Sequence, residues 1–126
     1  TQGSASEDFR RVSAGAEQAW LRSYGQGGGP KVSVLGRIDP ATGQMLSAAY
    51  LSALLGNGDS NSLTVTGLAV NSSGNLVVSA QSFFAPRRPN GQAMTQLTSG
   101  SSPFAYTVEI TPDLRRVVST AAVGWS

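Results

Sequence analysis

The alternation of apolar and polar residues predicts a chain built mainly of β-strands joined by turns that contain Gly and Pro. Residues 31–38 are apolar and β-branched, which is typical of a strand. Residues 39–43 carry Pro and Gly in turn-forming order, and residues 44–54 supply the hairpin partner. The pattern therefore predicts a first β-hairpin, followed by a loop at 56–61.

The clearest local pattern is a second hairpin over residues 63–81. Apolar residues fall on both alternating sets of positions in 63–70, which predicts a strand buried on both faces. The Asn-Ser-Ser-Gly-Asn turn at 71–75 allows a positive φ at Gly74 or Asn75. The returning strand then occupies residues 76–81.

A long loop and two more strands complete this part of the chain. Residues 83–103 contain three prolines and an Asn-Gly pair, and loops of this length usually carry function or local order. We expect one helical turn at 92–97 within it. Strands are predicted at 104–110 and 114–123, on either side of a turn at 111–113.

The first 30 residues differ from the rest of the chain. Ser6 is a good N-cap, and apolar residues from Phe9 to Trp20 recur at near-helical spacing, which predicts a short helix. The Gly-rich stretch at 25–30 ends it. We therefore divide the chain into an N-terminal segment, 1–30, with a short helix and a Gly-rich linker, and a β region, 31–126.

Composition narrows the chemistry. The 126 residues include no Cys and no His, so a disulfide, a thiol nucleophile, a typical zinc site and a His-based triad are excluded within this chain. Asp39, Asp59 and Asp113 fall in turns without the spacing of a calcium loop. We assign no catalytic residue, no cofactor and no metal ligand, and we expect no enzyme activity.

Charge argues against nucleic acid as a partner. Lys+Arg is 9 and Asp+Glu is 7, and most of the arginines fall in separated doublets such as Arg87-Arg88 rather than in a stripe. No apolar run is long enough to span a membrane, and no signal-peptide pattern is present, so we expect any such peptide to have been removed. The sparsely charged, Ser/Thr/Asn-rich composition is typical of secreted bacterial proteins, which predicts an extracellular or cell-surface location.

Parts of the chain repeat. Ile38-Asp39-Pro40 and Ile110-Thr111-Pro112 each follow one predicted strand and precede another. Four stretches resemble the bacterial seven-bladed β-propeller repeat, the SBBP repeat family: residues 66–80, 84–86, 104–110 and 118–126. Two positions depart from that family's pattern, since Asn71 stands in place of an Asp and Trp125 in place of a Gly.

The resemblance implies an all-β fold of antiparallel β-meander blades of propeller type, with the short helical segment before them. It implies a half blade at 31–56 and a full blade at 62–123, in a structural or binding protein. A propeller needs at least four blades. Either the chain is a fragment of a larger protein, or several chains assemble as a homo-oligomer or a hetero-complex, or the sheet packs in a non-propeller way, and the sequence leaves these alternatives open.

Two functions follow as hypotheses. The first is a non-catalytic secreted or cell-surface module that contributes blades to a larger assembly, with a protein or further copies of the chain as partner. The second is a small module that binds carbohydrate through loop aromatics. A hydrolase that uses dispersed carboxylates such as Glu109 and Asp113 is a weaker third. The candidate contact residues are Trp20, Tyr24, Phe83, Phe84, Arg87 and Arg88.

Overall fold

A computed structural model describes residues 16–22, 33–55 and 60–126 of the chain. Within these ranges the protein is all-β and every strand pair is antiparallel, which confirms the predicted fold class. The strands are β1 (Ser33–Ile38), β2 (Met45–Leu51), β3 (Ala53–Leu54), β4 (Ser60–Asn61), β5 (Leu63–Val70), β6 (Leu76–Ser82), β7 (Phe104–Ile110) and β8 (Val117–Ala122).

The described part of the N-terminal segment contains a single 3₁₀ turn at Ala19–Leu21. Trp20 and Leu21 are buried, so this turn packs on the sheets rather than projecting from them. The predicted helix start at Ser6 and the Gly-rich linker lie outside the described residues. The same is true of Tyr24.

The first predicted hairpin is present as β1 and β2. The two strands pair from Ser33 opposite Leu51 to Ile38 opposite Met45, and Gly43 takes a positive φ of 72° in the turn between them. Residues at the end of the hairpin partner form β3, which pairs with β4. The prediction of a loop at 56–61 is therefore wrong for residues 60–61, while residues 56–59 lie outside the described ranges.

The third sheet is a four-stranded meander in the order β5-β6-β7-β8. The predicted hairpin over 63–81 is confirmed, and Gly74 has a φ of 84° in its turn. The Asn71 N–H donates to the Asn75 carbonyl oxygen at 2.9 Å, so Asn71 and Asn75 form a hydrogen-bonded pair of the antiparallel ladder where the turn begins and ends.

A β-bulge in β5 changes which side chains share a face. Val65 lies opposite Ala80 and Gly67 lies opposite Ser79, so Thr66 is an extra residue without a partner of its own. Beyond the bulge Leu68 pairs with Val78, which is fully buried. The bulge therefore turns Leu68 toward the face that already carries Val65.

This inner face of the four-stranded sheet is where the core lies. Its residues pack against the β1–β2 hairpin and the 3₁₀ turn in one apolar cluster. The cluster contains Val78, Ala80, Tyr106, Val108 and Ile110 from the sheet, Leu35, Ala49 and Leu51 from the hairpin, and Ala16, Trp20 and Leu21 from the turn. The opposite face carries mainly small and polar residues and is largely exposed.

The sequence prediction of a strand buried on both faces is wrong for β5. Leu63 is buried, but the strand becomes progressively exposed toward Val70. The bulge explains the error. It places all four large apolar residues of β5 on the inner face, and the hairpin covers only the first part of that face.

The long connection at 83–103 is extended and contains no helical turn, so the helical turn predicted at 92–97 is wrong. Isolated bridges join Ala85 to Leu54, Arg87 to Ala93, and Gln96 to Trp125. Thr95 and Ser126 exchange two backbone hydrogen bonds, of 2.7 and 2.8 Å. The connection is thus fastened both to β3 and to residues that follow β8.

Candidate interaction surface

Trp20, a candidate contact residue, lies inside the protein with 8% of its surface exposed. Its indole Nε1–H donates to the Pro89 carbonyl oxygen at 2.9 Å, and the Arg87 guanidinium stands 5.4 Å from the ring centroid. A charged guanidinium over an indole ring is a favourable arrangement. The ring is therefore already used in fixing the 83–103 connection.

Arg87 is also an interior residue. Its Nε donates to the Ser52 carbonyl oxygen at 3.0 Å, and another guanidinium nitrogen donates to Ser52 Oγ at 3.1 Å. A third bond, of 2.9 Å, reaches the Gly91 carbonyl oxygen. The Tyr106 hydroxyl donates to the Arg87 carbonyl oxygen at 2.6 Å. Burial lowers the pKa of the Arg87 guanidinium from its ordinary value and raises the pKa of the Tyr106 hydroxyl.

The remaining candidates are nearer the surface. Arg88 is half-buried, and its guanidinium donates to Thr95 Oγ1 and to the Ser126 carbonyl oxygen, each at 3.2 Å. Phe83 is half-buried and Phe84 is exposed. Trp125 packs edge-on against Phe104 with ring centroids 5.1 Å apart. Among the described aromatics, Phe84 is thus the most open, whereas Trp20, Tyr50 and Tyr106 are buried.

The carboxylates that a hydrolase would use are engaged in turns. Glu109 Oε2 accepts hydrogen bonds of 2.8 Å from the side-chain amides of both Asn75 and Asn71, and these bonds lower the pKa of Glu109. Asp113 Oδ1 accepts from Thr111 Oγ1 at 2.6 Å, which lowers the pKa of Asp113. Within the described ranges, no three acidic residues cluster in a way that suits a metal ion.

The most distinctive surface feature is an apolar groove of about 510 Å³ between β1 and β5. This β1–β5 groove is lined by Val34, Leu35, Gly36 and Arg37 on one side, by Leu68 and Val70 on the other, and by Gly74, Leu76, Pro112 and Leu114. Its volume lies in the range of typical ligand and peptide pockets. None of the residues that line it is among the contact residues predicted from the sequence.

Ser33 closes one end of the groove. Its Oγ donates to the Leu63 carbonyl oxygen at 2.8 Å and accepts from the Val65 N–H at 3.2 Å. At this point the hairpin and the four-stranded sheet touch. Beyond Ser33 the next residues of β1 line one wall of the groove, and β5 lines the other.

The wall formed by β5 exposes large apolar side chains. Leu68 is 58% exposed and Val70 is 72% exposed, although both lie on the inner face of the sheet. Side chains on the core-facing side of a sheet are normally covered, so an uncovered stretch of this kind is a candidate interaction surface. The signal available in the sequence was the Thr66-Gly67 pair, since Gly inside a strand often marks a bulge.

The groove carries one charged side chain among the described residues that line it, that of Arg37. Arg37 is exposed, and its guanidinium lies 3.4 Å from the Pro112 carbonyl oxygen. It forms no ion pair within the described part of the chain. The open end of the groove is therefore positively charged, whereas its walls are apolar.

No protein-family model matches the chain, and no curated protein or solved structure is significantly similar to it. The resemblance to the SBBP repeat family therefore stays a prediction, and function has to be argued from the geometry of the chain itself. In the described residues no helix is long and apolar enough to span a membrane.

Proposed function

We propose that this protein is a non-catalytic interaction module that adds its antiparallel sheet to a larger β assembly. One observation carries the proposal: the inner face of the four-stranded sheet continues past the part that the β1–β2 hairpin covers. Leu68 and Val70 lie on the uncovered part and are both more than half exposed. A second protein surface that covers them completes the packing that the hairpin begins.

The energy available at this surface is substantial for a small module. Full burial of one aliphatic side chain stabilises by about 1.5–3 kcal/mol. With the exposed fractions of Leu68 and Val70, covering both contributes about 2–4 kcal/mol. The groove walls add further apolar area from Val34 and Leu76. This is a sizeable part of the free energy of a micromolar complex, about 8 kcal/mol.

The four-stranded meander itself supports an assembly in which sheets pack face on face. One face of this sheet is polar and exposed, and the other is apolar and only partly covered. A sheet of this kind can bury the rest of its apolar face by packing against a neighbouring sheet. We extend the proposal accordingly: the meander acts as one blade of a propeller-type structure, in a secreted or cell-surface protein. The resemblance of 66–80 and 104–110 to the SBBP repeat supports this extension.

The carboxylate geometry supports a non-catalytic role. Glu109 and Asp113, the acids of the hydrolase hypothesis, each hold a turn through hydrogen bonds to neighbouring side chains. The carbohydrate hypothesis loses one of its loop aromatics, because Trp20 is committed to interior contacts. Protein contact is the function that the open apolar face favours.

The native mass of the chain in cells of its source organism tests the proposal. We expect the wild-type chain to migrate on a native gel in a complex well above the mass of its own denatured polypeptide. The double change Leu68→Thr with Val70→Thr keeps β propensity but removes apolar surface, and we expect it to release the free chain. The matched control is Val118→Thr with Val123→Thr, which alters two exposed valines elsewhere.

Two results would overturn the proposal. The first is a wild-type chain that is a free monomer in the native extract. The second is release of the chain to the same extent by the control pair, which would place the contact away from the β1–β5 groove.

A further inference from the structure

We infer that the β1–β5 groove binds an extended segment of a partner protein, which adds as a strand to the open edge of β5 and places a carboxylate against Arg37. The inference rests on the proposed function and specifies how the partner binds. Three independent features of the groove support it: its backbone, its walls and its charge.

The backbone of β5 offers free hydrogen-bonding groups along the groove. In an antiparallel ladder, pairs that exchange hydrogen bonds alternate with pairs that do not. The Asn71–Asn75 pair is hydrogen-bonded, so the pairs of Val70 with Leu76 and of Leu68 with Val78 are the non-bonded type. The N–H and C=O groups of Leu68 and Val70 therefore point away from β6, toward the groove.

The closed end of the groove supports this assignment. Leu63 and Val65 belong to the same outward-pointing set, and their backbone groups are the ones that Ser33 Oγ satisfies. Along the first part of the β5 edge, the Ser33 hydroxyl thus supplies the hydrogen bonds that a neighbouring strand would otherwise make. Leu68 and Val70 form no hydrogen bond outside the β5–β6 ladder with the described residues. An added strand would pair with these two residues.

The walls select apolar side chains at alternate positions. A strand along β5 directs every second side chain to the inner face, where Leu68, Val70 and Leu76 lie. Leu114 and Pro112 extend this apolar lining at the open end. A segment with two or three alternating aliphatic residues fits this lining, because each would cover surface that is now exposed to water.

The charge selects a carboxylate and argues against β5 or β8 of a second copy as the added strand. Arg37 is the charged residue of the lining and has no acidic partner in the described residues. The edge strands of the four-stranded sheet, β5 and β8, contain no Asp or Glu. An edge strand from another copy would leave Arg37 unpaired, whereas a partner segment with Asp or Glu provides a charge-assisted bond.

The test uses a phage-displayed library of random heptapeptides, selected on the immobilised full chain and followed by titration of synthetic peptides. We expect the selected peptides to combine alternating aliphatic residues with an Asp or Glu. Bound peptide should also slow the exchange of the Leu68 and Val70 amide hydrogens with solvent, as strand pairing requires.

Two pairs of variants separate the backbone contribution from the charge contribution. Val70→Pro removes the backbone N–H of residue 70, which points away from β6, without removing a β5–β6 hydrogen bond. Val70→Ala keeps that N–H and only shortens the side chain, so it is the matched comparison. We expect peptide affinity to fall about fivefold further in Val70→Pro than in Val70→Ala. We expect Arg37→Glu to weaken binding about tenfold at low salt. The matched Arg115→Glu alters an exposed arginine outside the groove lining and should leave binding unchanged.

The strand-addition inference is overturned if no peptide is selected, or if the selected peptides bind Val70→Pro and Arg37→Glu as tightly as wild type. These results would leave the proposed function standing. If the peptide results fail but Leu68→Thr with Val70→Thr still releases the chain from its native complex, the module binds its partner through its apolar face without strand addition. A native chain that is monomeric contradicts the proposed function instead, whatever the peptides do.

Discussion

At the scale of single residues, Gly91 shows how tightly the 83–103 connection is held against the N-terminal turn. Its φ is +90°, and a Cβ at this position would lie 2.7 Å from Cδ1 of Trp20. The Trp20 ring is held in place by its hydrogen bond to the Pro89 carbonyl oxygen and by the Arg87 guanidinium beside it. Gly91 is therefore required both by its backbone conformation and by the close approach of the ring.

We predict that Gly91→Ala lowers the free energy of unfolding by about 2–4 kcal/mol, since it combines left-handed strain with a steric clash. Gly74→Ala is the matched control, because Gly74 has a φ of +84° but open space around its Cα. We expect the control to lose about 1 kcal/mol, from strain alone. Urea titration of both variants measures the difference, and equal losses would show that the Trp20 contact contributes little.

Residue roles were the hardest part to predict from the sequence. Trp20 and Arg87 were selected because they are large or charged and lie near loops. Their partners Pro89 and Ser52 are 69 and 35 residues away, and no local pattern reveals such pairs. Arg37 was not selected, because its position beside an apolar groove depends on the packing of β1 against the four-stranded sheet.

At the scale of elements, the β5–β6 turn is tied to the centre of the sheet by a carboxylate. Glu109 on β7 accepts hydrogen bonds from the side chains of Asn71 and Asn75, which lie at the two ends of the turn. Ser119 Oγ on β8 donates to the other Glu109 oxygen at 3.3 Å. One side chain thus joins parts of all four strands at one end of the meander.

We predict that this tie makes the stability of the meander pH-dependent. Hydrogen bonds lower the pKa of Glu109 in the folded protein, so its contribution is complete above the unfolded pKa of about 4.3. It is lost as the pH falls through the lower folded value. Glu109→Gln should therefore show a smaller loss of stability on acidification than wild type, when thermal unfolding is followed as a function of pH.

Asn75→Ala serves as the control for this prediction. It removes one donor and leaves the carboxylate, so the pH dependence should fall between those of wild type and Glu109→Gln. Identical pH profiles in all three proteins would contradict the role assigned to Glu109.

The strands and turns followed from the sequence where the signal was local. The turn at 71–75 and the alternation around it identified the β5–β6 hairpin, because turn chemistry and strand periodicity act over a few residues. The extended bridges of 92–97 did not follow from the sequence. Ala93 bridges Arg87 within the connection, whereas Thr95 and Gln96 pair with Ser126 and Trp125, which come from the far end of the chain.

At the scale of the whole molecule, the β1–β2 hairpin meets the edge of β5 at a polar point within an otherwise apolar contact. Ser33 Oγ bonds both the Leu63 carbonyl oxygen and the Val65 N–H. Leu35 from the same strand lies in the common core. Because the Ser33 hydroxyl satisfies both backbone groups, β1 can diverge from the edge of β5 without exposing an unpaired N–H or C=O there.

We predict that Ser33→Ala lowers the free energy of unfolding by about 1–2 kcal/mol and speeds exchange of the Val65 amide hydrogen. Ser79→Ala, a change of the same kind on the exposed face of β6, should have little effect on either. Amide exchange followed by NMR measures both variants. An unchanged Val65 amide would mean that the junction is held by apolar packing alone.

The β-bulge at Thr66 has a consequence for how this surface can change over evolution. Removal of the Thr66 codon would leave Gly67 opposite Ser79, Leu68 opposite Val78 and Val70 opposite Leu76, so the bulge would disappear while both large aliphatic side chains stayed on the inner face. Loss of the bulge without a deletion, by a shift in strand register, would instead bring Gly67 and Ala69 to the inner face. The apolar surface of β5 therefore tolerates deletion of the bulge residue, but it depends on the bulge for as long as that residue is present.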